Sequence, residues 1–292
     1  ERVRPRGGRS ITVPARTFSF ATWNIGGGIL GESHQRGALP SLAYYASVLR
    51  HHGADVVCLQ EAHSFDSGEG QPEYLARHCG YPYVESFPVS RSHLAPDALL
   101  TLSILSRFPI TTREYRQFPN PGLTAIGPDG SHWELLDKGY AKAVIEVEGA
   151  RLGVLNAHCF PLHYFKAAAT ESRFRDLWGM LTNELLDMRA EMPTVACMDL
   201  NYTPVQDLLA CLLRSGGYSN AFGGTSTTRK GVQQDYILYD QRMQLLEATV
   251  RPTKSDHSYC QVKVVVRPAR PTGLPSRAVR GAWRDYQPSG TR

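Results

Sequence analysis

Short apolar runs of strand length recur along this chain, and four of them stop at polar side chains suited to a cation or a phosphate. FSFATWNI (18–25) reaches Asn24 just before three glycines, and DVVCLQ (55–60) is followed by Glu61. RLGVLNAH ends in Asn156 and His158, and TVACMDLN (194–201) ends in Asp199 and Asn201. Apolar runs of roughly four to eight residues bounded by turn formers read as strands. Side chains alternate faces along a strand, so Asn156 and His158 point the same way, as do Asp199 and Asn201. Ligands at adjacent strand ends converge on one cavity.

Helical spacing separates some of these runs. Leu42, Tyr45, Ala46 and Leu49 predict a helix over 42–52 that stops at Gly53. A stripe of Phe174, Leu177, Leu181, Leu185 and Met188 predicts a long helix from about Thr170 to Ala190, ended by Pro193. A further helix is expected at 204–214. Strands are expected at 81–87, 99–106, 110–116, 233–240, 244–250 and 258–266, with a hairpin over 140–158 turning at Glu148-Gly149-Ala150. The pattern predicts one α+β or layered α/β domain over 18–266, without internal repeats.

The 26 Gly and 19 Pro among 292 residues fit many short elements, and 42% hydrophobic content excludes a disordered chain. No stretch approaches the roughly 20 apolar residues of a membrane span. The formal charge is +5 overall; residues 1–16 carry +4 and 267–292 carry +5, which leaves −4 for 17–266. The basic character therefore lies in two tails, and the mildly acidic middle argues against an extended nucleic-acid face. Six cysteines without a zinc spacing are too few for a disulfide scaffold, so reduced thiols and a cytoplasmic location are expected. The chain begins at Glu1 rather than Met, which leaves room for a trimmed upstream piece.

Two downstream pieces add Asp235 and the Asp256-His257 pair. Carboxylates and amide oxygens without a cysteine cluster suit a hard cation, Mg²⁺ or Mn²⁺, better than zinc. A carboxylate here could deprotonate a water, and a histidine beside a carboxylate can stay cationic against a phosphate. The ordered set WNI (23–25), LQE (59–61), LNAH (155–158), MDLN (198–201), DYI (235–237) and SDH (255–257) resembles the endonuclease/exonuclease/phosphatase superfamily. The resemblance covers about 18–266 and implies a four-layer sandwich, with two mainly antiparallel β-sheets face to face, helices outside and the site at one end.

The same resemblance implies roles. Glu61 would be the principal metal ligand, Asn24 a ligand or neighbour of metal and phosphate, and Asp256 a completing member of the metal or water network. His158 would bind phosphoryl oxygens, Asp199 would orient or deprotonate the attacking water, and Asn201 would contact the transition state. Asp235 would pair with His257, which stabilises the pentacovalent phosphorus. Two positions depart from the family pattern: Met198 stands where Gly is usual, and Tyr259 stands where Pro is frequent, the latter read as edge-strand variation.

Specificity is expected outside the scaffold. The turn-rich stretch 119–137 offers Trp133 and Leu135, and the loop after His158 offers His163, Tyr164 and Lys166; Lys142 in the hairpin is a further candidate for a substrate phosphate. His63 is expected to support Glu61 from behind or to lie at the surface, Arg107 to support the fold, and His51, His52, His78 and His93 to be structural or surface residues. The expected activity is Mg²⁺-dependent hydrolysis of a phosphate mono- or diester of a small metabolite or lipid, by a monomer. A DNA or RNA endonuclease is the first alternative, with nucleic acid as partner, and a non-hydrolytic descendant is the second.

Overall fold

A computed structural model describes residues 16–31, 38–147 and 150–266. Most of both basic tails, and the Glu148-Gly149 part of the hairpin turn, lie outside the described residues.

The apolar runs form two six-stranded sheets. The first has the order β13–β14–β1–β2–β4–β3 and the second β11–β12–β10–β9–β8–β5. In the first, β1 (Arg16–Asn24) runs parallel to β2 (Val56–Phe65) and antiparallel to β14 (Tyr259–Val266). The sheet is completed by β4 (Ala98–Ser106), which pairs with β2, and by the edge strands β3 (Tyr83–Arg91) and β13 (Met243–Arg251). In the second, β9 (Ala150–His158) runs parallel to β10 (Thr194–Asp199), and β12 (Asp235–Asp240) pairs antiparallel with β10. Outside these lie β8 (Gly139–Val147), β5 (Ile110–Gln117) and the short β11 (Tyr218–Asn220). A parallel neighbour needs a crossover. Helix α1 (Leu42–His52) lies between β1 and β2 in sequence, and α3 (Arg175–Glu191) between β9 and β10.

Three cores separate four layers. Phe20, Cys58, Val154, Cys197 and Val262 fill the space between the sheets. Trp23, Tyr45 and Leu49 pack α1 on the first sheet, and Leu155, Leu181 and Leu185 pack α3 on the second. All six cysteines are free thiols, five of them buried. No helix among the described residues is long and apolar enough to cross a membrane.

Helix α1 matches its expected bounds because Gly53 takes the left-handed conformation, φ 61°, that ends it. The long helix begins later than expected. Residues 172–174 form a 3-10 turn, and the Trp178 indole donates to the Ala169 carbonyl at 2.8 Å, which holds the approach to the helix. The expected helix at 204–214 divides into a 3-10 turn at 205–207 and α4 (Ala210–Arg214). Helix α2 (Gln71–Cys79), strand β11 and the small β6–β7 hairpin (Thr124–Ile126 with His132–Glu134) were not expected. Tyr259 is no edge residue: β14 is paired on both sides, and the ring is buried against Trp23 and stacked on His52. Met198 is buried against the α3 layer, on the opposite strand face from Asp199.

Candidate active site

Strand register brings the polar strand ends into one layer. His158, Asp199 and Asp235 are direct neighbours across β9, β10 and β12. Asn24 is paired with Gln60, next to Glu61, on the facing sheet. The two sheets are tied beneath the site by Asn156, fully buried on β9. Its amide donates to the Leu59 and Ser103 carbonyls at 3.0 and 2.9 Å, and its oxygen accepts from Gln60 at 2.7 Å. These bonds sit where the β2–β4 ladder slips by one residue, between Gln60 and Ala62. Glu61 is the extra residue of that bulge and has φ 54°. A bulge leaves ladder groups unpaired and re-aims a side chain. Here the Asn156 amide and the Thr101 hydroxyl, which donates to the Ala62 carbonyl at 3.0 Å, cap the freed oxygens.

Asp199 has no solvent exposure and is held at both oxygens. The Asn24 amide donates to Oδ2 at 3.0 Å and the Asn201 backbone N–H to Oδ1 at 2.9 Å. Asn201 reaches φ 51°, which turns its amide toward Nε2 of His158 at 3.2 Å. His257 Nδ1 lies 2.9 Å from Asp235, and its Nε2 lies 4.0 Å from Asp199. Burial opposes charge on His257, but Asp235 and then Asp199 outweigh it and hold the imidazole well above its usual range. Burial raises the Asp199 carboxyl to about 7, with Asp235 adding to the rise and His257 opposing it. Asp199 is thus a buried base poised near neutrality beside an imidazolium.

The other half of the site contains a residue missed in the sequence. Lys138, 5% exposed, places Nζ 3.1 and 3.2 Å from the two ring nitrogens of His158 and 3.5 Å from Glu61. Burial and then the Lys138 charge push His158 well below its usual range, so this histidine is neutral and the cation beside it is lysine. Burial pushes Glu61 up, but the Lys138 ammonium outweighs it and keeps the carboxyl below its usual range. Lys138 immediately precedes β8, where Gly139 pairs with His158. A Cβ on Gly139 would sit 2.3 Å from the Arg116 carbonyl, so only glycine lets β8 approach β5 this closely. The signal in the sequence was the lysine–glycine pair leading into the hairpin strand.

Other expectations divide. Asp256 is half-buried, accepts from the Ser255 hydroxyl at 3.1 Å, and lies on the turn that touches the Asn24 carbonyl through Ser255. Lys142 does not face the site. It pairs with Leu155 on the helix-facing side and forms ion pairs with Glu184 at 2.6 Å and Glu114 at 3.0 Å, so strand alternation turns it away from His158. Leu135 is buried in the α3-side core. Trp133, His163 and Tyr164 meet at a rim: the Trp133 and Tyr164 rings stand edge to face at 6.1 Å, and the His163 ring lies 4.2 Å from that of Tyr164 and close to the Asn201 backbone, while Lys166 ends the 3-10 turn of residues 162–165. Lys230, absent from the expectations, lies 4.9 Å from the Tyr164 ring. His63 is buried against Gly27 and Ser92, and Arg107 lies over Tyr81. His93 is exposed, as expected, and lies near enough to Glu61 and His158 to act on both electrostatically.

Asp199, Asp235 and His257 offer three ligand atoms within 4.8 Å of one another, a grouping that could hold a cation. The Nδ1 contact to Asp235 and the proton that both carboxylates favour on His257 compete with a cation in that grouping. Glu61, kept ionised at the bulge, is the carboxylate on the other side of the site and is of the hard-donor type that suits such a cation, with the Lys138 ammonium 3.5 Å away having to give way to it.

A sequence profile of the Endonuclease/Exonuclease/phosphatase family matches residues 21–257. No curated protein matches in sequence. Among solved structures, an endonuclease/exonuclease/phosphatase from Beutenbergia cavernae aligns with TM-score 0.67 at 18% identity, over 86% of this chain and 72% of that one. The human Nocturnin catalytic domain aligns at 0.59 and 19%, over 85% and 94%. A mannosyl-6-phosphatase from Bacteroides thetaiotaomicron aligns at 0.55 and 15%, over 85% and 99%. At such identities these three likenesses carry the fold.

Proposed function

For a chain that belongs to the Endonuclease/Exonuclease/phosphatase family, whose members hydrolyse phosphoesters, we propose a Mg²⁺-dependent phosphoesterase that cleaves a mono- or diester of a small metabolite or lipid. The supporting observation is Asp199, fixed at both oxygens and raised to about 7 beside the Asp235–His257 pair. Asp199 orients a water and takes its proton as the oxygen attacks phosphorus in line with the departing alkoxide. The imidazolium of His257, Lys138 and the Asn201 amide bind phosphoryl oxygens as negative charge grows, in a buried site where fixed donors act strongly. His158, neutral, accepts from or donates to its neighbours without adding charge. Glu61, with Asn24 and Asp256, would hold the cation; when bound, Mg²⁺ supplies charge neutralisation at the phosphate.

The test compares wild type with His257→Ala in Mg²⁺, on bis(p-nitrophenyl) phosphate, p-nitrophenyl phosphate and supercoiled plasmid. Hydrolysis of a small ester by wild type alone, with the plasmid intact, is expected. Nicking by wild type alone would replace this reading with the endonuclease. Turnover unchanged in His257→Ala would refute the mechanism.

A further inference from the structure

Beyond the reacting centre, three separate segments meet at one corner of the rim. The 119–137 stretch supplies Trp133, the loop after His158 supplies Tyr164, and the loop before β12 supplies Lys230. Trp133 is fixed in two ways. Its indole lies on Gly127, where a Cβ would come within 2.4 Å of Nε1, and that nitrogen donates to the Ser131 hydroxyl at 2.9 Å. Tyr164 belongs to a 3-10 turn whose Leu162 is anchored in the core, while Tyr164 itself stays 45% exposed.

The two rings stand at 85° to one another, so their faces form an L-shaped corner rather than a closed stack. A planar ligand ring can lie on one face and meet the edge of the other, the two geometries that aromatic quadrupoles favour. Lys230 donates to the Tyr164 hydroxyl and sits over its ring. Among the described residues neither Lys230 nor Lys166 has a carboxylate partner, in contrast to Lys138, Lys142 and Lys263. The exposed Ile126 pairs with His132 and so lies on the opposite hairpin face from Trp133, which pairs with Ala125; the corner is aromatic and cationic rather than aliphatic. It is also next to the chemistry, because the His163 ring, packed 4.2 Å from that of Tyr164, lies close to the Asn201 backbone, and the Asn201 amide lies 3.2 Å from His158.

We propose that Trp133 and Tyr164, with Lys230, form a leaving-group subsite that stacks a planar aromatic ring carried by the phosphoester, as a nucleobase is carried by a nucleotide. This rests on the phosphoesterase reading and selects, among its substrates, an aromatic leaving group over an alkyl or lipid one. Because the indole is already immobilised, little ordering entropy opposes stacking.

The experiment is calorimetric titration of the full chain with Mg²⁺, in a His257→Ala background to prevent turnover, with adenosine 5′-phosphate, ribose 5-phosphate and hexyl phosphate. The first two share phosphate and sugar and differ only in the ring. Adenosine 5′-phosphate is expected to bind about 10-fold tighter than ribose 5-phosphate, toward the low end of what base–aromatic stacking gives. Trp133→Ala and Tyr164→Ala, with unchanged melting, should each erase most of that ratio and leave ribose 5-phosphate binding as it was. Equal affinities, or a ratio that survives both substitutions, would overturn the proposal. So would hexyl phosphate matching the nucleotide, with Tyr164→Leu harmless, which would assign the corner to an alkyl chain. In the wild-type background, the same rim substitutions should raise KM for bis(p-nitrophenyl) phosphate with kcat retained. Absence of wild-type hydrolysis on every phosphoester would instead indict the parent reading.

Discussion

Asn156→Leu isolates the link between the sheet interface and Glu61, the carboxylate proposed to hold the cation. The asparagine is fully buried and makes three hydrogen bonds, two donated to backbone carbonyls and one accepted from Gln60. Leucine keeps the branching and heavy-atom count, though its methyls are bulkier, and leaves the Leu59 and Ser103 carbonyls and the Gln60 amide to find new partners. Gln60 keeps its contact with Thr22, at 3.1 Å, so its loss is partial. Each buried polar group left unsatisfied costs about 1–3 kcal/mol, and leucine regains part of this through its own apolar burial. A net loss of about 3 kcal/mol is expected, read as a lower urea midpoint with unchanged m-value. The freed carbonyls adjoin the Glu61 bulge, so the carboxylate should also lose its aim. The variant, still folded at low temperature, should need more Mg²⁺ for half-maximal turnover than wild type. A midpoint within about 0.5 kcal/mol of wild type, the scatter of ordinary surface changes, would refute the claim that Asn156 carries these bonds. Loss of stability with unchanged Mg²⁺ dependence would refute its coupling to Glu61.

Other substitutions separate the charges. Asp235→Asn keeps the shape but removes the carboxylate that favours protonated His257, so the alkaline limb of the kcat/KM profile should move to lower pH; an unmoved limb would show that His257 does not act as the cation. Asp199→Asn should abolish turnover yet stabilise the metal-free protein. A carboxyl held at about 7 when folded and 3.8 when unfolded loses stability as pH rises through that window, so melting at pH 8 should improve by at most about 4 kcal/mol, and at pH 4 hardly at all. Equal effects at both pH values would contradict the raised carboxyl. Lys138→Met should lower kcat/KM about 100-fold, the scale of removing one buried electrostatic donor, and a change under about twofold would leave it a structural lysine. Glu61→Gln should cancel the rise in melting temperature that Mg²⁺ gives wild type, which reaches about 2.7 kcal/mol when the cation is at a hundred times its Kd.

Strand ends and helix stops were local facts and could be read along the chain. Asn24, Glu61, His158, Asp199 and Asp235 each close an apolar run, and Gly53 marks its helix end through a conformation that glycine adopts freely. Period two assigned Asn156 and His158 to one face, and the structure keeps them there. Alternation says which residues share a face, but the identity of the layer beyond that face depends on which strands pair. Lys142 therefore looked available until β8 settled against β5 and α3, where Glu114 and Glu184 neutralise it. Lys138 carried no mark along the chain beyond the glycine that follows it, and only the close packing that Gly139 admits brings its ammonium onto His158. The protonation of the two site histidines follows the same division. Sequence named both, whereas only packing buried both, which disfavours charge on each, and set Lys138 closest to His158 but Asp235 closest to His257, so that the nearest charge decides which carries the proton.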